Sequence, residues 1–157
     1  MKIRYLFSLL LILTFITVSG QQPGMEKQAV MIENQSSYGF TETMEALSEI
    51  IVEKGWKITA IHDLQETMKK NGKEVLPVKV IELCNPDHAF GILSKDEYRD
   101  VSPMLPCRIS VYEKTDGSTW ISRMNAPAFA AMIGGDAAAT MVKAFNETEE
   151  MLRLVIQ

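Results

Sequence analysis

The residues best able to do chemistry stand in two short segments, Leu83-Cys84-Asn85-Pro86-Asp87-His88 and Leu105-Pro106-Cys107-Arg108. Their types allow three kinds of chemistry. Asn85, His88 and Arg108 can supply polar contacts to a small molecule or an anion, because an arginine fork and a helix N-terminus both hold anions. Cys84 and Cys107 are the only two cysteines and can pair as a disulfide or act as thiols. Closing the loop from Asn85 to Pro106 would contribute on the order of 3 kcal/mol. With no Cys-x-x-Cys spacing, a structural bond is expected ahead of a redox-active one. Third, Cys84, His88 and Cys107 could ligate a metal or a haem iron. A structural zinc set wants four ligands in tight pairs, however, and only His62 remains as a fourth. No Gly-x-Ser-x-Gly elbow and no carboxylate pair suited to acid–base work is present, so no enzymatic reaction or cofactor is read from the chain.

The elements that must position these residues follow from local signals. Val78 to Leu83 is β-branched and apolar, bounded by Pro77 and Asn85-Pro86, and Leu76 to Cys84 reads as a third strand. Asn85 then serves as N-cap, with Pro86 at the first helical position, for a helix to about Leu93. Cys84 lies just outside the positive end of that helix, where a thiolate would be favoured and the thiol pKa lowered. The alternative is a small, buried apolar residue at a strand end.

Upstream, Gln28 to Glu33 reads as a first strand. Phe40, Met44, Leu47, Ile50 and Ile51 form one helical face, with Ser37 or Gly39 as cap and Gly55 just past the end. Trp56 to His62 alternates as a second strand, which places Trp56, Ile58, Ala60 and His62 on one face. Asp63 to Glu66 is an acidic capping box opening a short helix, and His62 beside it reads as a hydrogen-bonded structural residue.

Downstream, Ser94 to Asp100 is a charged loop or ragged turn. Arg108 to Tyr112 is a fourth strand, Thr115-Asp116-Gly117-Ser118 a hairpin turn, and Thr119 to Met124 a fifth strand. Asn125-Ala126-Pro127 starts a short apolar turn or helix to Ile133. Asp136 is expected to cap a long final helix that buries Thr140, Met141, Ala144, Thr148, Met151, Leu152 and Val155. The order of elements predicts an α+β layer: about five mainly antiparallel strands with two long helices on one face. Gly134-Gly135-Asp136 lacks the lysine and spacing of a phosphate loop.

The chain start carries a localisation signal. Lys2 and Arg4 precede an apolar run from Tyr5 to Val18, and Val18-Ser19-Gly20 supplies small residues before Gln21. This is the layout of a signal peptide over residues 1–20, followed by a linker over 21–27 and a single domain over 28–157. The expected location is periplasmic or extracellular, with an uncleaved N-terminal anchor as the alternative. Losing Lys2 and Arg4 from 16 basic residues leaves 14 against 20 acidic ones. That acidity argues against nucleic acid and against an anionic membrane surface as partners.

Taken together, Phe40-Thr41-Glu42-Thr43-Met44-Glu45-Ala46-Leu47, Lys54-Gly55-Trp56, Leu83-Cys84-Asn85-Pro86, Leu105-Pro106-Cys107-Arg108-Ile109-Ser110-Val111-Tyr112-Glu113 and Asp116-Gly117 resemble the domain-of-unknown-function 302 family. The resemblance covers essentially the whole chain after the apolar start. It implies a β-α-β4-α domain of the TATA-binding-protein-like grouping and a homodimer, and it brings no established reaction. Some branches of the family have Gly where Cys84 stands, so no family-wide role for that thiol is implied.

Overall fold

A computed structural model describes residues 29–157. The expected signal peptide, linker and first residue of the domain lie outside the described residues. Five strands form one sheet in the order β1-β5-β4-β3-β2: β1 Met31–Gln35, β2 Lys57–Asp63, β3 Val78–Cys84, β4 Cys107–Glu113 and β5 Thr119–Met124. Every pairing is antiparallel, and the α+β class holds. Helices α1 (Phe40–Glu53), α2 (Leu64–Lys70), α3 (Pro86–Leu93), α4 (Ala126–Ile133) and α5 (Gly135–Leu152) connect or follow the strands. A 3-10 helix spans Asp96–Met104, where the sequence suggested an irregular loop.

The core forms where α1 and α5 cover one sheet face. Met44, Leu47 and Ile51 of α1 meet Ile81, Leu83, Ile109, Val111 and Ile121 of the sheet, with Ala144, Met151 and Leu152 from α5. Burying each large aliphatic side chain contributes roughly 1.5–3 kcal/mol. Local signals set most element ends. Asn85 Oδ1 accepts the N–H groups of Asp87 and His88, with Pro86 at the first helical position, as the Asn-Pro pair demands. Asp63 Oδ1 accepts the Glu66 N–H at 2.8 Å. In the β4–β5 turn, Gly117 has φ +80°, a conformation that glycine adopts without strain.

Three expectations are corrected. The first strand starts later, at Met31. Asp136 does not cap α5: Gly134 precedes the helix without a side-chain cap, and Asp136 instead accepts a bond from Lys95 at 2.5 Å. Trp56, Ile58, Ala60 and His62 do not share a face. The register slips between Ile58, opposite Leu83, and Ala60, opposite Glu82. Thr59 is the extra residue of a bulge, and a one-residue slip reverses the alternation. Ile58 therefore joins the core, while Ala60 and His62 fall on the other face with Glu82.

Candidate ligand-binding cavity

The ends of β3 and β5 and the start of β4 lie side by side at one rim of the sheet. There α3, α5, the start of α4 and the segment 103–106 enclose, with the strand ends, a cavity of about 230 Å³. Its wall is mostly apolar: Trp56, Leu83, Ile92, Met104, Leu105, Met141 and Phe145 all contribute. The cysteines, Asn85, His88 and Arg108 line the same cavity. The two segments singled out in the sequence thus meet, because antiparallel pairing puts Leu83 opposite Cys107.

Each residue does something specific there. Asn85 turns its side-chain oxygen to its own helix, capping Asp87 and His88 at 3.0 and 3.5 Å. The N-terminus of α3 is therefore already satisfied. Arg108 lies on the opposite sheet face from the core, with its Nε 3.0 Å from Glu82 Oε1. His62 reaches the same carboxyl at 3.3 Å, and it is half exposed rather than packed against a helix cap. Arg108 and His62 hold the Glu82 carboxyl below the usual carboxylate range.

His88 is largely enclosed, its side chain 13% exposed. Its ring packs edge-on to Trp56, with centroids 5.8 Å apart. His88 Nε2 lies 2.9 Å from Glu147 Oε2, and Trp56 Nε1 donates to the same oxygen at 3.2 Å.

Both cysteines are free thiols in the structure, so the expected disulfide is not formed there. The register gives a reason. Cys107 faces Leu83 directly, so Cys84 stands one residue out of step with it, and successive strand residues point to opposite faces. Burial, with the neighbouring Cys84, pushes the Cys107 thiol up to about 11. Burial also raises Cys84, against the lowered value expected at a helix N-terminus. Desolvation disfavours the thiolate, and the α3 N–H groups that would have stabilised it are bonded to Asn85. The proposed ligand set of Cys84, His88 and Cys107 is not assembled either. Among the described residues no three His, Cys, Asp or Glu side chains gather around a metal position, and His88 Nε2 is already engaged by Glu147.

Sequence reasoning missed three contributors. Glu147 sits between Ala144 and Thr148 on the buried stripe of α5, and a carboxylate inside an apolar stripe was the available signal. Arg123 alternates in step with the core residue Ile121, and it is only 4% exposed. It donates to Glu149 at 2.7 and 2.5 Å and to Asn34 at 2.6 Å. Trp56 was placed on a strand face with Ile58 but not assigned to the site, because its contacts to His88 and Glu147 come from distant elements.

A family profile described as "Domain of unknown function DUF302" matches residues 32–157. A solved structure titled "Crystal structure of uncharacterized conserved protein DUF302 from Bacillus stearothermophilus" is similar with a TM-score of 0.70. The two are 23% identical, and the match covers 79% of this chain and 96% of that one. At that identity the likeness concerns the fold. No curated protein matches the chain.

Proposed function

The chain belongs to the DUF302 family, and from that premise we propose that it is a binding module for a small, largely apolar molecule, held at the sheet rim beside Cys84, Asn85, His88 and Cys107. The observation that carries this reading is the cavity of about 230 Å³ with its aromatic, aliphatic and thioether wall. An apolar cavity of about 150 Å³ already takes benzene, so the space suits a substituted ring or a branched chain. Methionines in such a wall adapt to ligand shape.

The anion half of the original expectation has less support. Arg108 is paired with Glu82 and Arg123 with Glu149, so neither cation is uncommitted. The thiol alternative also weakens, since a nucleophilic cysteine needs a lowered pKa and both thiols are raised. We read them as wall, not as reactive groups. We further propose that the module is exported, supported by Lys2 and Arg4 before the run Tyr5 to Val18. Its action as a homodimer is proposed on the family likeness.

The test is a screen of the purified protein by native mass spectrometry and by Trp56 fluorescence, in a Trp120→Phe background so that one indole reports. Ala144 lines the cavity and is 7% exposed, so Ala144→Leu would fill the space. Ligand signals that vanish in the folded Ala144→Leu variant support the reading. Ligands that bind it unchanged, or no ligand in the wild type, would remove it.

A further inference from the structure

We infer that the cavity selects a neutral ligand that brings a hydrogen-bond donor, a hydroxyl or an N–H, to His88, and that it rejects carboxylates; this rests on the small-molecule reading above. Glu147 is the reason. Its Oε2 is approached by His88 Nε2 and by Trp56 Nε1. An indole N–H only donates and an ionised carboxylate only accepts. Nε2 must therefore carry the hydrogen that points at Glu147. In the neutral imidazole the other nitrogen, Nδ1, is then a bare acceptor.

Nδ1 makes no hydrogen bond to the described residues. Yet no fully buried side-chain nitrogen or oxygen among them lacks a partner. Nδ1 is therefore open to solvent-accessible space, and His88 lines the cavity.

Other polar groups of the wall point the same way. Thr140 and Thr148 give their hydroxyl hydrogens to the carbonyls of Asp136 and Ala144, at 2.8 and 2.9 Å. Each leaves an oxygen that can only accept. The donors on the wall are the Asn85 amide nitrogen, the two thiols and the outer N–H groups of Arg108 and Arg123, and both cations already face a carboxylate, Glu82 and Glu149. A ligand hydroxyl would complete His88, whereas a ligand carboxylate would bring its charge toward Glu147, and among the described residues the cations of the wall, Arg108 and Arg123, are each already balanced by a glutamate.

Three probes of similar shape separate the cases: toluene, p-cresol and p-toluate, each titrated into the unaltered protein by calorimetry and into the Trp120→Phe protein with Trp56 fluorescence as readout. p-Cresol should bind about tenfold tighter than toluene, the worth of one neutral hydrogen bond, and p-toluate should bind more weakly than either. In His88→Phe, p-cresol should fall to the toluene level while toluene binding persists. An imidazole nitrogen spectrum of the unaltered protein gives a readout independent of any variant, and should show His88 Nε2 protonated and Nδ1 bare. p-Toluate binding as well as p-cresol, p-cresol no better than toluene, or the opposite tautomer would each overturn this inference while leaving the cavity reading intact. Failure of all three probes to saturate would overturn both.

Discussion

Removing Arg123 tests how the rim of the sheet is held together. Its guanidinium is nearly enclosed, bridging Glu149 on α5 to Asn34 on β1 through three bonds of 2.5–2.7 Å. Arg123→Met keeps the apolar stem and deletes the charge. Glu149 then remains beside the core without its partner, and breaking a buried pair from one side costs about 3–5 kcal/mol. The Glu149 side chain is 22% exposed and can partly rehydrate, so the lower end, about 3 kcal/mol, applies. For a domain of this size that lowers Tm by roughly 10 °C. The assay is urea unfolding followed by circular dichroism, with the slope checked for constancy. The double variant Arg123→Met/Glu149→Leu removes both charges and should recover most of the loss, because a buried pair is often replaceable by apolar groups of similar volume. A single variant within 1 kcal/mol of wild type, or a double variant as costly as the two singles added, would refute the claim that an uncompensated carboxylate is the penalty.

Further expectations follow from other contacts. Cys107, with its thiol raised from 9.0 to about 11, should be alkylated by iodoacetamide about a hundredfold more slowly in the native than in the unfolded protein near neutral pH; equal rates would contradict its burial. The same shift makes stability fall with rising pH. Above about pH 9 the unfolded thiol has lost its proton while the native one keeps it up to about 11, so the contribution is intact below 9 and declines across that window by about 2–3 kcal/mol. Tyr112, raised to about 12 by burial and Glu33, adds a decline of the same sign, and Cys107→Ala should abolish only the Cys107 part in pH-stepped urea unfolding. Asn85→Ala removes the α3 cap and should cost about 1 kcal/mol by urea unfolding, with Asn85→Asp keeping most of it. Gly135→Ala should cost about 1–2 kcal/mol, since Gly135 has φ +60° and its added Cβ would stand 2.5 Å from Tyr98 Oη; unchanged thermal unfolding would show that the start of α5 relaxes freely.

What the chain dictated by itself was whatever depends on neighbours in sequence. Asn85-Pro86 set the start of α3, Gly55 stands just past the end of α1, Asp116-Gly117 placed the turn between β4 and β5, and apolar periodicity marked α1 and the buried side of α5. Those signals work through hydrogen bonds and rotamers that span a few residues, so they survive without knowledge of the fold. They also sufficed to flag two segments that converge, because each ends or begins a strand. Tertiary structure decided the rest. The bulge at Thr59 exists only as a mismatch between two strands, and it put Ala60 and His62 on the face opposite Ile58. The Leu83–Cys107 register, not cysteine count, set the two thiols out of step. Arg123, Glu147 and Glu149 acquired partners from distant elements, and only that pairing makes buried charge tolerable. The cavity itself is a space enclosed by strand ends, helices and the segment 103–106, and no local pattern encodes an empty space.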